Sequence, residues 1–175
     1  EYMHRFLANP PSVHPGVKMP DVLSGQSKAR RSEVAEALSH FMVSLTVKSF
    51  AGWKPGIGDA MAGRSLFHEI GCVACHSPRD GEGREAAGGS LLSLAHVPAK
   101  YGHESLAEFL FNPHRTRPSS RMPDFHLSRD ESRNLAEYLM GGRPALAQPF
   151  HVDAGLVDKG RAYFREFNCV ACHSI

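Results

Sequence analysis

No stretch of this sequence is apolar for long enough to cross a bilayer as a helix. The longest apolar-leaning run, Phe41 to Val47, is short and is broken by Ser44 and Thr46. The opening residues Glu1-Tyr2-Met3-His4-Arg5 contain no apolar h-region, so no secretory signal is visible. On these grounds the chain is expected to be cytosolic, processed, or a piece of something longer. Charge of one sign is also scarce: the net charge is +2 over 175 residues, with a pI near 8.5 and no concentrated basic run. That argues against a nucleic-acid binder. Strand signals are weak everywhere. There are only four cysteines, none is left over, and their spacing is the most informative feature.

The four fall in two identical pairs, each followed by histidine: Cys72-Val73-Ala74-Cys75-His76 and Cys169-Val170-Ala171-Cys172-His173. The similarity extends upstream. Gly63-Arg64-Ser65-Leu66-Phe67 leads into the first motif and Gly160-Arg161-Ala162-Tyr163-Phe164 into the second, at a constant offset of 97 residues. A second block repeats at an offset of 103: Phe6-Leu7-Ala8-Asn9-Pro10 with Phe109-Leu110-Phe111-Asn112-Pro113, and Lys18-Met19-Pro20-Asp21 with Arg121-Met122-Pro123-Asp124. Internal repeats of this kind set the domain reading before any local detail does. The order is Met block, Cys block, Met block, Cys block. Residues 58–143 therefore form one complete unit, with 51–57 as a linker that holds Trp53. Residues 1–50 read as the C-terminal part of a preceding module, and 144–175 as the start of a following one. In an alternative arrangement the two terminal halves are complementary and pair, within the chain or between neighbouring chains.

Helical periodicity is expected from Gly63 to Gly71, with Asp59 as cap and Leu66, Phe67 and Ile70 on one face. Glu104 to Phe111 should be a short helix ended by Asn112-Pro113. Arg115 to Phe125, with Pro118 and Pro123, should be an extended loop, and Gly81, Gly83, Gly88 and Gly89 mark another. Ser128 and Glu131 form a capping box for a helix to Met140, closed by Gly141-Gly142. A corresponding helical pattern runs from Ser32 to Leu45. The fold class is all-α: small, loop-rich helical units in tandem.

Cys-x-x-Cys-His is the attachment sequence of haem c. Two thiols about one helical turn apart can each add to a vinyl group of one porphyrin, and the adjoining histidine reaches the iron. A four-cysteine zinc site would set its pairs about 15 to 20 residues apart, and a thioredoxin-like motif would need a βαβ context. The distal ligand decides between an electron carrier and an enzyme with an open iron. Met122, stiffened by Pro123 and recurring as Met19, is the candidate in the complete unit. His126, His114, His103 and His96 are rivals. Leu66, Phe67, Ile70, Leu94, Phe109, Leu110 and Phe125 would exclude water. Arg115, Arg117, Arg121, Lys100 and Tyr101 are candidates for the haem propionates.

From Gly63-x-x-x-Phe67 through Cys72-x-x-Cys75-His76 to Met122-Pro123-Asp124-Phe125-x-Leu127-Ser128 and a closing helix, the chain resembles class I cytochrome c. The intervening Val97-Pro98-Ala99-Lys100-Tyr101, Asn112-Pro113 and Arg117-Pro118 resemble multi-module bacterial cytochromes. The resemblance implies a small helical bundle around covalent haem c and its iron, held by Cys72, Cys75, proximal His76 and distal Met122. By the same matching Cys169, Cys172 and His173 hold a second haem, and Met19 is the distal ligand of a module whose cysteine motif lies upstream. It further implies one-electron transfer rather than catalysis, redox partner proteins, and an extracytoplasmic (periplasmic or cell-surface) location. The second motif has no downstream Met. That keeps open a di-haem peroxidase-like enzyme, or an electron-entry domain of a larger dehydrogenase or oxidase.

Overall fold

The computed structural model describes residues 1–14, 16–45, 56–80, 85, 91–118, 120–142 and 150–173. Trp53 and the four glycines of the 81–89 loop lie outside them. Among the described residues the elements in order are α1 (Tyr2–Ala8), α2 (Pro10–Val13), α3 (Lys28–Ser44), α4 (Ala60–Glu69), α5 (Val97–Lys100), α6 (His103–Phe111), α7 (Pro113–Thr116), α8 (Arg129–Met140) and α9 (Ala154–Glu166). Cys72–Ala74 and Cys169–Ala171 are single 3₁₀ turns. No strand forms among the described residues, only isolated bridges between His76 and Leu92 and between Arg79 and Glu85. The fold is all-α, as the periodicity implied.

Local chemistry explains where the helices begin. Asp59 accepts from the Met61 and Ala62 amides at 2.8 and 3.1 Å, so α4 starts at Ala60, directly after the expected cap. Ser27 caps α3 through the Arg30 amide at 3.2 Å, which brings its start forward from Ser32 to Lys28. The Ser128–Glu131 capping box forms, with both reciprocal bonds present at 3.2 and 2.7 Å. Gly141 then closes α8 in the left-handed region at φ 61°. The stretch expected to be extended from Arg115 instead opens inside the helical turn α7. Asn112 ends α6 and its side chain at once caps α7 through the Arg115 amide at 2.8 Å. Asn9 does the same for α2 through the Ser12 amide at 3.3 Å.

The chain divides into two compact units. One is contiguous, Phe50–Ala147; the other joins Glu1–Ser49 to Gln148–Ile175. In the contiguous unit α4 packs across α8 and α6 lies against α8. A Cβ placed on Gly63 would stand 2.0 Å from the Asn134 carbonyl oxygen, so the helices meet backbone to backbone. Phe67 and Tyr138 sit beside this crossing, with ring centroids 5.6 Å apart. Buried Leu106, Leu110, Leu127, Leu135 and Leu139 complete the core.

The discontinuous unit is built the same way from both chain segments. There α9 packs across α3, and α1 lies against α3. A Cβ on Gly160 would stand 2.1 Å from the Ala37 carbonyl oxygen. Phe164 and Phe41 flank the crossing with centroids 5.6 Å apart. Leu7, Leu23, Val34 and Leu38 fill the remaining core.

Candidate haem sites

In the contiguous unit α4 delivers the first cysteine motif. Gly71, at φ 88°, turns the chain into the 3₁₀ turn. Within it the Cys75 and His76 amides both donate to the Cys72 carbonyl, at 3.2 and 2.9 Å. The turn presents its cysteines differently. Cys72 is half-buried against the apolar core, and burial pushes its thiol pKa up. Cys75 is exposed, and neither cysteine is in a disulfide.

His76 is fixed by a bond from Nδ1 to the Leu92 carbonyl oxygen at 3.3 Å. Since a carbonyl only accepts, Nδ1 carries the proton and the Nε2 lone pair is left for a metal. Burial lowers the pKa of this imidazole, which favours the neutral form that ligation requires. The segment behind it is held by backbone bonds: Leu92 N–H to the Cys75 carbonyl at 2.9 Å, and Ser77 N–H to the Leu92 carbonyl at 3.2 Å.

Met122 is half-buried against the same apolar cluster as Cys72. Its amide donates to Ser120 Oγ at 3.2 Å, and two residues on Asp124 Oδ1 accepts from the His126 amide at 2.8 Å. Of the rival ligands, His126 points to solvent with a left-handed backbone at φ 53°. His114 is exposed, and His103 Nε2 lies 3.5 Å from Glu137.

The second motif adopts the same turn. Asn168 takes the left-handed position at φ 54°, which asparagine tolerates better than most residues. The Cys172 and His173 amides donate to the Cys169 carbonyl at 3.2 and 3.0 Å. Cys169 is half-buried, with a thiol pKa raised by burial, whereas Cys172 and His173 are exposed. Cys169 and Met19 both pack on the apolar cluster of the discontinuous unit.

Several features test whether these residues suit haem. Each turn offers two free thiols and an imidazole, and a thioether packs on the same core. Among the described residues there is no cluster of three His, Cys, Asp or Glu side chains that would hold a bare metal ion. Large apolar groups also stand exposed, among them Phe125 and, next to the His76 support, Leu91 and Leu92. Leu92 is 55% exposed although its backbone is bonded to the motif. An apolar planar group seated there would cover it. The residues fit haem c.

Of the expected water-excluding residues, Phe67 and Leu110 are buried, and Leu66, Ile70 and Leu94 pack partly buried on the core. Phe125 is more open, and Phe109 instead stacks on Tyr101 at 6.0 Å. Among the expected propionate partners, Arg115 pairs with Glu108. Arg117 lies over the Tyr101 and Phe109 rings, at 5.8 and 5.6 Å. Lys100 is 5.2 Å from the Tyr101 ring centroid.

Sequence reasoning missed Arg79. It is buried, and it donates to the Leu139 and Leu94 carbonyls at 2.9 and 2.8 Å, with Glu85 at 3.8 Å. Glu85 in turn accepts from the Leu94 amide and the Ser93 hydroxyl. Arg79 thus ties the segment after the cysteine motif to the end of α8. Its Nε, and the nearby Tyr138 hydroxyl, are buried without a hydrogen-bond partner. No pattern signals this residue, because its main partners are backbone carbonyls distant in sequence.

Lys100 yields a pH prediction. Burial first, and Arg117 second, bring its pKa down to about 8 from 10.5. Between those values the unfolded chain still binds the proton that the folded chain has released, so stability rises with pH. The denaturant midpoint of the contiguous unit is expected to increase from about pH 8 to about pH 10. That increase should shrink in Lys100→Met. Equal slopes in both proteins would rule out Lys100 as its source.

Residues 60–143 match the family model of cytochrome c. A relative named cytochrome c-552, from Bradyrhizobium diazoefficiens, is 36% identical over 74 residues, covering 42% of this chain and 65% of the relative's length. No solved structure matches significantly.

Proposed function

We propose, from the premise that residues 60–143 belong to the cytochrome c family, that this chain is a multihaem electron carrier with two covalently attached haems. The family's cofactor is haem c with its iron, and its chemistry is haem-based electron transfer. The finer reading assigns Cys72, Cys75, proximal His76 and distal Met122 to one haem, and Cys169, Cys172 and proximal His173 to another. The supporting observation is the pair of matching 3₁₀ turns, each with two unpaired thiols and a following histidine.

When bound, haem supplies a ferric/ferrous couple that takes up or gives one electron. The chain does the rest. Cys72, Cys75, Cys169 and Cys172 would hold haem covalently, each thiol adding across a vinyl group with its proton passing to the other vinyl carbon and no net oxidation. The Leu92 carbonyl keeps the His76 Nδ1 proton in place, which would leave the Nε2 lone pair to ligate the iron. A Met122 thioether as distal ligand would favour the reduced state and so raise the potential relative to a second histidine. The apolar core on which Cys72 and Met122 pack would keep water from the iron.

This reading makes the protein a carrier rather than a catalyst, with redox proteins as partners and an extracytoplasmic location. No helix among the described residues is long and apolar enough to cross a membrane. The test is intact mass together with oxidised and reduced absorption spectra. Two covalent haems with low-spin bands are expected. Covalent haem with one high-spin iron that turns over peroxide would favour the di-haem peroxidase reading instead. No covalent haem would end both.

A further inference from the structure

We infer that Met19 and His173, near opposite ends of the chain, are the two axial ligands of one haem, so that the discontinuous unit is itself a complete haem module with its segments in permuted order. The inference rests on the reading that the second cysteine motif carries haem.

The case is geometric. In the contiguous unit the cysteine turn and Met122 meet on one apolar cluster. In the discontinuous unit Cys169 and Met19 meet on one apolar cluster in the same way. The helix crossings correspond as well. Gly63 abuts the Asn134 carbonyl, and Gly160 abuts the Ala37 carbonyl, at 2.0 and 2.1 Å from a virtual Cβ. The pairs share the 97-residue offset, as do Phe67 with Phe164 and Tyr138 with Phe41. An apolar core depends on which surfaces meet and not on the order in which the chain visits them, so the permutation leaves the packing intact.

The methionine loops correspond too. Asp124 Oδ1 accepts from the amide two residues on, and Asp21 Oδ1 accepts from the Leu23 amide at 3.2 Å. Asp21 is also held by Arg31 at 2.7 Å, and Arg31 donates to the Ala8 carbonyl at 2.9 Å. Met19 therefore stands on a loop braced at both ends. A methionine that served only to fill the core would need no such bracing.

The experiment compares the holoprotein with Met19→Ala and Met19→His, by intact mass, spin-state spectra and carbon monoxide binding to the reduced protein. In the parent, two haems and two low-spin irons are expected. Met19→Ala should keep both haems and convert half of the total haem to a high-spin, carbon monoxide-binding form. Met19→His should restore the low-spin state with half of the methionine-to-iron charge-transfer band missing, which excludes a mere folding defect. Two haems with an unchanged spectrum in Met19→Ala would overturn the pairing. So would loss of the low-spin signal on dilution, because it would assign Met19 to a neighbouring chain. Fewer than two haems in the parent would instead refute the reading of the second motif on which this inference stands.

Discussion

Gly63→Ala is expected to destabilise the contiguous unit by about 3 kcal/mol or more, near the upper end for overpacking substitutions. The new methyl carbon would lie 2.0 Å from the Asn134 carbonyl oxygen and 2.5 Å from its carbon. Both are backbone atoms inside α8, so no side-chain rotation relieves the clash. The two helices must move apart, and the Phe67–Tyr138 contact and the buried leucines behind it loosen with them. Alanine's better helix propensity returns about 1 kcal/mol at most, too little to offset this. Gly155→Ala in α9 is the control. There the nearest atom to a Cβ is Asp153 Oδ1 at 3.3 Å, the end of a side chain. Denaturant midpoints of the holoproteins decide the matter, and a Gly63→Ala midpoint equal to that of Gly155→Ala would refute the close-crossing argument.

Met122→Ala is expected to lower the reduction potential of the haem proposed at Cys72, Cys75 and His76, and to open its iron to carbon monoxide. A thioether stabilises the reduced iron, and its loss should shift the couple by more than about 59 mV, a tenfold change in the one-electron equilibrium constant. Stability should change less than the potential, because Met122 is only half-buried and its loop stays pinned by Asp124 and by buried Leu127. Potentiometric titration followed optically would resolve this. An unchanged potential and a still-closed iron would transfer the distal role to one of the histidines, His126 first among them because it lies in the same loop.

Much of this was legible in the sequence because the determinants are local. The Ser128–Glu131 box, the Asp59 cap and the Gly141 stop each act within a few residues, and the helices follow from them. The cysteine motif is equally local, since two thiols and an imidazole within five residues need only one turn of backbone. What could not be read depends on contacts far apart in sequence. Arg79 bonds to a carbonyl 60 residues away, and nothing in Ser77-Pro78-Arg79-Asp80 marks it for burial. The short helix α7 was missed because Asn112-Pro113 reads as a stop, whereas the asparagine both ends one helix and caps the next. The start of α3 lay upstream of the apolar pattern, because the Ser27 cap and not an apolar residue sets it. The pairing of α3 with α9 was open in the sequence: the repeats allowed the two terminal halves to pair, but did not decide between that and modules continued elsewhere.

The discontinuous unit has a consequence for how the chain is made. Residues 50–147 can collapse on their own contacts as soon as they are synthesised. The segment before them cannot complete its core then, because α3 packs against α9, which is synthesised only after that unit. Closing a loop of that length costs about 4 kcal/mol of chain entropy before any contact rewards it. Until then α1 covers only part of the α3 core, and the side of Phe41 that meets Phe164 stays open, although in the finished fold Phe41 is almost fully buried. This waiting period is when a nascent chain can accept α9 from a neighbour, and exchange of identical segments between copies is the characteristic error of such an arrangement.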